Sequence, residues 1–336
     1  MIEQVDLELL RCPRTGAKLS WRGAGQLVSE EGEYVYPVVY GVPDFRLFDP
    51  PYHSREEELE IAKFLVNASI GLDYEQLVRL YVEQYVPLKS KEKELKHRLQ
   101  LRYRSPGRLH NMKDAVNADI PSGGIVLDIG CGSGEAAGEM LRLGAKSVVG
   151  IDISLIELVF AKKLLAQEGM SATLVAGCAE SLPFADSCFD MVYSPDVIEH
   201  VSDQALYLKE ANRVLSSKGY VLLNSPNRYS VVCPEPHVGI WGLTFLPRFL
   251  IDPCCRLLGK GPYTGKRLIS LMELRKLVVQ SFGECSILGR SANPLAESIL
   301  GKLYYKTRPL SVNLFSYFCS QHIVYGTKSL NGDSAN

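Results

Sequence analysis

The chain has 336 residues, 46% of them hydrophobic and 22% charged, with a formal net charge of −1. That is enough for one large domain or two modest ones, and the composition is that of a globular protein rather than a disordered one. The charge balance excludes a global field that would gather nucleic acid, and no apolar run approaches the ~20 residues of a membrane span.

Nine cysteines, an odd number with no C-x-x-C pair, and the early acids of "MIEQVDLELL" lead us to expect a reducing cytoplasm. Residues 1–48 read as short strands around a hairpin in "QLVSEEGEYVYPVVYGVPDF", with Pro37, Gly41 and Pro43 limiting them to edges and turns. Residues 49–116 read as a helical arm. Ser54 is the expected cap, and apolar residues recur every three or four positions in "LEIAKFLVNASI" and "YEQLVRLYVEQYV". The basic stretch from Lys89 to Arg108 reads as a solvated helix face, broken by Pro106 and Gly107.

From residue 117 to the end, strand and helix patterns alternate. "GIVLDIG", "SVVGIDIS", "ATLVAGCA", "FDMVYSPD" and "YVLLNSPN" are strands. Helices lie between them, one capped by Ser202 or Asp203 and stopped by Gly219. This predicts an α/β fold, a parallel sheet with helices on both faces, which binds ligands at the carboxyl ends of its strands. Residues 231–265 interrupt the rhythm. "ISLMELRKLVVQSFG" then resumes a helix, and "ECSILGR" and "HIVYGTK" add two late strands.

The turn in "VLDIGCGSGE" holds Gly130, Gly132 and Gly134, removing three Cβ atoms where backbone approaches a ligand. Asp128 stands before it, and Asp152 closes the next strand, where a carboxylate suits a ribose diol. Two cofactor classes fit. Gly132, Gly134 and Ala137 loosely satisfy the dinucleotide pattern G-x-G-x-x-A. S-adenosylmethionine fits as well, because Asp128 can meet its ammonium.

"VLDIGCGSGE", "VVGIDIS", "AESLPFADSCFDMVYSPDVIEHV" and "LKEANRVLSSKGYVLLNSPN" resemble, in order, the motifs of class I S-adenosylmethionine-dependent methyltransferases, nearest to the quinone-biosynthesis group. The resemblance covers roughly residues 105–230. It implies a Rossmann-like seven-stranded sheet with a late antiparallel strand. It also implies that Asp128, Gly130, Cys131, Gly132 and Gly134 hold the methionine end. Asp152 would hold the ribose, Ile153 would pack on adenine, and Cys178, Ala179 and Glu180 would lie at the adenine edge. The family commonly has Asp where this chain has Cys178, and a thiol is a weak partner for the adenine amino group.

Methyl transfer to a hydroxyl needs alignment and removal of a proton. In "SPDVIEHV", Asp196, Glu199 and His200 fall at i, i+3 and i+4, one face of a helical turn, and suit a general base or Mg²⁺. The cluster resembles the Glu-x-x-Glu-His of metal-assisted O-methyltransferases, with Asp196 in place of the first Glu. His237, in "PEPHVGIWG", is a further ligand or the base, so His200, His237 and Glu199 are the candidate catalytic residues, with Asp196, Glu199 and His200 as the candidate metal ligands. Residues 231–265 are read as a lid, with Trp241, Phe245 and Phe249 apolar and Arg248 as a cationic handle. A lid over a small acceptor is preferred to a loop resting on a membrane. Cys254 and Cys255 are read as small core residues.

The N-terminal "LRCPRTGAKLSW" and "YPVVYGVPDF" resemble a zinc-ribbon-like domain. Only Cys12 of its ligands is present, with Thr15 at the partner position, so the expectation is a metal-free structural or docking module. The arm is expected to close over the cofactor, with Tyr103 and Arg104 as contacts. Together these features and resemblances predict an S-adenosylmethionine-dependent methyltransferase acting on a small-molecule hydroxyl of a sugar, natural product or quinone precursor, without nucleic acid. A nicotinamide-dependent dehydrogenase and a non-catalytic docking partner remain the alternatives.

Overall fold

The computed structural model describes residues 7–23, 25–50, 53–290 and 316–328. Seven strands form one sheet: β5 (Ile125–Ile129), β6 (Ser147–Asp152), β7 (Thr173–Ala176), β8 (Phe189–Pro195), β9 (Leu215–Pro226), β10 (Cys285–Arg290) and β11 (Gln321–Thr327), in the order β10-β11-β9-β8-β5-β6-β7. The pairs from β9 to β7 are parallel, and β11 is antiparallel to both neighbours. Alternation divides the core. Val126, Val148, Met191, Leu222 and Ile323 pack under α3 (Lys91–Val116) and α4 (Glu135–Arg142). Leu127, Val149, Val192, Leu223 and Val324 face α6 (Gln204–Val214) and α8 (Leu271–Ser281). Among the described residues no helix is long and apolar enough to cross a membrane.

The helical arm comprises α1 (Arg55–Ala68), α2 (Tyr74–Tyr85) and α3. Ser54 caps α1 through a capping box with Glu57. α1 and α2 pack their apolar faces on α5 (Leu155–Gln167) around Leu65, Tyr74, Leu77 and Phe160. The N-terminal piece is an antiparallel sheet of β1 (Leu19–Trp21), β2 (Gln26–Ser29), β3 (Val35–Val39) and β4 (Val42–Pro43). It docks on the β7 edge: Asp44 bridges Ala176, the Phe45 N–H donates to the Ala176 carbonyl at 2.8 Å, and Leu10 bridges Phe184. Its Leu10, Leu27 and Phe45 join the same buried cluster as Leu127 and Val175. Cys12 is buried with its Sγ 3.0 Å from the Tyr36 hydroxyl.

Three local expectations are corrected. α3 runs unbroken through Pro106, since the one hydrogen bond it loses is outweighed by packing on both sides, at Arg98 and at Leu109 and Met112. The basic face is not uniformly solvated: Arg98 is buried between Glu94 and Glu157, under the rings of Tyr81 and Phe160, and Arg108 pairs with Asp196. Gly219 does not stop a helix. α6 starts at the Asp203 cap and ends at Val214, and Gly219 lies within β9. A Cβ there would sit 2.8 Å from the Phe189 carbonyl, where the β8–β9 register shifts.

Candidate active site

The three glycines do different work. Gly130 has φ 72°, and a Cβ on it would lie 2.4 Å from Val197 Cγ2, so its bareness seats the turn against the loop after β8. At Gly134 a Cβ would come within 3.0 Å of Ala161 Cβ, so that glycine brings α4 onto α5. Gly132, with φ 51°, has nothing within 4 Å of its Cβ position, and it is the one of the three facing open space. The N–H groups of Gly130 and Cys131 both donate to the Ile151 carbonyl, at 2.8 and 3.2 Å, so the turn is also tied to β6.

Asp128 is 1% exposed, and among the described residues its Oδ2 has no hydrogen-bond partner. Burial, then Asp152 and Glu135, push its carboxyl well above the usual range. The buried Tyr193 hydroxyl is equally unpartnered. Both residues line a cavity of about 40 Å³ with Ser105, Arg108, Gly130, Cys131, Ala136 and Pro195. A buried carboxylate without a partner is costly, and a bound cation removes the cost. The ammonium of S-adenosylmethionine meets that description, so these residues fit the cofactor. Tyr103 is 78% exposed and does not line this cavity. Arg108, which the sequence reading passed over as one of a basic run, does.

Asp152 is held by two backbone donors: Gly132 N–H to Oδ2 and Ser154 N–H to Oδ1, each at 2.9 Å. Burial, aided by Glu157 and Glu58, outweighs these bonds and pushes its carboxyl up to about 6. Each oxygen keeps a lone pair for a ribose hydroxyl. Ile153 follows directly. Ser133 in the glycine turn donates to Glu157 Oε2 at 2.7 Å, and Arg98 of the arm holds Glu157 Oε1 at 2.8 Å. At the third strand end, Cys178 is 2% exposed and its Sγ accepts the Leu47 N–H at 3.4 Å. Burial raises the thiol. Ala179 packs against the core, and Glu180 Oε1 accepts the Ser202 N–H at 2.7 Å.

After β8 the chain forms a turn rather than a helix, so Asp196, Glu199 and His200 do not share one face. Asp196 has φ 54°, binds both polar atoms of the Asn224 amide through its own N–H at 3.0 Å and its Oδ1 at 2.7 Å, and pairs with Arg108. Its carboxylate is thereby turned from the cluster that forms instead: ligand atoms of Glu199, His200 and His237 lie within 4.8 Å of one another. His200 and His237 approach Nε2 to Nε2 at 3.3 Å, their rings nearly perpendicular at 84°. Glu199 is 1% exposed, its Oε2 is unpartnered among the described residues, and burial and Asp196 raise its carboxyl. Burial, then His237, lowers His200.

Two residues outside the sequence reading complete this cluster. Glu235 Oε1 lies 2.6 Å from His237 Nδ1 and accepts the Tyr263 hydroxyl at 2.9 Å, while its Oε2 accepts the His237 and Val238 N–H groups at 2.8 and 2.7 Å. Burial pushes the Glu235 carboxyl up, but these donors outweigh it and hold it below the ordinary value. The spacing "EPH" was the available signal. Above the site, residues 231–265 carry a 3-10 turn at Leu243–Phe245 and α7 (Arg248–Leu257). Trp241, Phe245 and Phe249 are exposed, and Arg248 is not a free handle, since it pairs with Glu273 of α8 at 2.7 Å. Cys255 is buried beside Leu243 and Ile251.

Known proteins bear on this geometry. A family model described as a methyltransferase domain matches residues 127–223. The chain is 32% identical over 174 residues to the ubiquinone biosynthesis O-methyltransferase of Bartonella bacilliformis, covering 52% of this chain and 65% of that protein. It is 30% identical over 204 residues to the enzyme of the same name in Brucella anthropi, covering 58% and 77%. It thus spans just under two thirds of the first relative's length and more of the second's. Among solved structures, an S-adenosylmethionine-dependent methyltransferase from Mesorhizobium loti is 17% identical with a TM-score of 0.45, over 63% of this chain and 94% of that one. Phosphoethanolamine N-methyltransferase 2 of Haemonchus contortus, in complex with S-adenosylmethionine, is 18% identical with a TM-score of 0.45, over 67% and 52%.

Proposed function

The chain belongs to the class I S-adenosylmethionine-dependent methyltransferases, and from that premise we propose that it methylates a hydroxyl on a small phenolic acceptor of the quinone-precursor type. Membership displaces the nicotinamide-dependent alternative. The observation that carries the acceptor chemistry is the Glu235–His237 pair. Glu235 receives the Nδ1 side of the ring, which leaves Nε2 as the lone-paired nitrogen; it meets His200 Nε2 at 3.3 Å, and an acceptor hydroxyl would take that place. That is the arrangement of a general base oriented by a carboxylate, and such a base contributes about 10²–10⁴-fold.

When bound, the cofactor supplies an electrophilic methyl group on a sulfonium. Asp128 would hold its ammonium, and Arg108, lining the same cavity, would suit the methionyl carboxylate. Asp152 would receive the ribose hydroxyls. His237 Nε2 takes the proton from the acceptor hydroxyl, and Glu235 stabilises the imidazolium that forms. Trp241, Phe245 and Phe249 give the lid an apolar surface for the aromatic part of an acceptor. The test is S-adenosylhomocysteine release with catechol-type acceptors. His237→Ala abolishes turnover while S-adenosylhomocysteine still binds, and an unchanged rate would overturn the assignment.

A second reading rests on the three ligand atoms of Glu199, His200 and His237, which could hold a divalent cation that lowers the acceptor hydroxyl's pKa. Two imidazoles and one carboxylate suit Zn²⁺ or Mn²⁺ better than the Mg²⁺ expected from the sequence, a hard cation that prefers oxygen. The base reading expects turnover to survive chelation. A loss restored by added metal favours the cation.

A further inference from the structure

The N-terminal sheet does more than cover an edge. Arg46, which follows β4, is 4% exposed and makes a bidentate contact with Asp44, Nε to Oδ1 at 2.8 Å and Nη2 to Oδ2 at 2.7 Å. Its remaining nitrogen, Nη1, pairs with the buried Glu58 of α1 and donates to the Ile153 carbonyl at 3.1 Å. Glu58 accepts the Ser154 hydroxyl through its other oxygen at 2.8 Å. Ser154 in turn gives its N–H to Asp152. The Ile153 carbonyl and the Ser154 N–H belong to one planar peptide. Arg46 therefore grips one side of that peptide while the other side orients the carboxylate expected to meet the ribose.

A docking contact alone does not call for this. Desolvating an arginine and two acids is expensive, and apolar side chains of similar volume often serve stability as well or better. An apolar plug would close the β7 edge. The buried ions instead continue, bond by bond, into the strand end where the cofactor's sugar belongs. The same strap also gives its Leu47 N–H to Cys178, at the adenine edge.

We propose that Arg46 is a positioning residue for the cofactor ribose, acting through Glu58 and the Ile153–Ser154 peptide on Asp152, so that the N-terminal module is part of the cofactor site. This rests on Asp152 as the ribose acid. The experiment is calorimetric titration of the full chain with S-adenosylhomocysteine and with its 2′,3′-dideoxy analogue. The variants are Arg46→Lys, Glu58→Gln and Ser154→Ala, each checked by circular dichroism. Ser154→Ala removes the Glu58 branch of the relay, together with the hydroxyl that caps α5, without breaking an ion pair, so the test survives if an ion-pair variant fails to fold.

The native chain is expected to bind the dideoxy ligand more weakly. The folded variants should lose about tenfold in affinity for S-adenosylhomocysteine and less than about twofold for the dideoxy ligand, since the hydroxyls through which the relay acts are gone. A native chain that binds both ligands equally overturns the ribose assignment, and the inference with it. A native difference that the variants leave unchanged, or an equal loss on both ligands, overturns the inference alone and makes Arg46 a structural residue.

Discussion

Replacing Asp128 by Asn separates binding from stability in one variant. The carboxylate is 1% exposed, its Oδ2 has no partner, and Asp152 and Glu135 add repulsion. In the free protein its charge is a burden, and in the complex it is the counter-ion of the ammonium. A hydrogen bond to a charged group contributes about 1.5–3 kcal/mol, so Asp128→Asn should weaken S-adenosylhomocysteine by roughly ten- to a hundredfold. The pH dependence of stability runs oppositely. A carboxyl whose folded pKa is raised keeps its proton in the native state after the unfolded chain has released its own. The free native protein therefore loses stability as pH rises from the ordinary carboxylate range, about 3.9, through the raised folded value. Asp128→Asn lacks that loss, so its melting temperature relative to the native protein should climb as pH is raised. Calorimetry gives the first quantity, and thermal melts of ligand-free protein at several pH values give the second. Unchanged affinity, or a relative melting temperature that falls with rising pH, refutes the assignment.

Glu235→Gln keeps a hydrogen-bonding group beside His237 Nδ1 but removes the charge that stabilises an imidazolium. Turnover should fall by at least about tenfold while S-adenosylhomocysteine affinity holds, as read from product release and calorimetry. His200 titrates below its ordinary value because burial and His237 disfavour its charge. As pH falls through about 6.5 the unfolded chain protonates first, and stability drops. His200→Gln should flatten the melting curve across that acid window, and an unaltered slope counts against a His200 held neutral in the folded chain. Gly130→Ala meets both Val197 Cγ2 and a left-handed backbone, so it should cost about 1–2 kcal/mol or more. Adding Val197→Ala relieves only the clash, and full rescue in denaturant melts would show that the backbone conformation carries no cost.

The strand and helix order was legible because it is written in local chemistry. Apolar runs flank the glycine turn, Ser54 and Asp203 cap their helices, and "HIVYGTK" forms the strand that pairs antiparallel with its neighbours. The carboxylate expected at the methionine end does stand orphaned in a cavity. What was not legible depends on contacts between distant residues. Spacing set Asp196 beside Glu199 and His200, but it could not foresee that Asn224 and Arg108 would claim the Asp196 carboxylate. Arg98 and Arg108 looked like solvent-facing charges because their acids lie about 60 and 90 positions further along the chain. Arg46 looked like any residue after a hairpin, since the peptide it grips is about 100 positions away.

The docking of the N-terminal sheet on β7 also sets an order of events during synthesis. Asp44 meets Ala176, and Leu10 meets Phe184, partners separated by about 130 to 175 residues. At ~5–20 residues per second, the first piece made waits roughly 7 to 35 s for its partner strand to exist. During that interval Leu10, Leu27 and Phe45 have no core to enter. Once made, β7 is a bare strand edge until the early segment returns. The nascent chain must therefore close a long loop late, when both halves of the contact are most open to other chains. Proteins with such distant pairings fold slowly. A chain lacking residues 1–48 would leave the β7 edge bare, and edge-to-edge association is expected from that species.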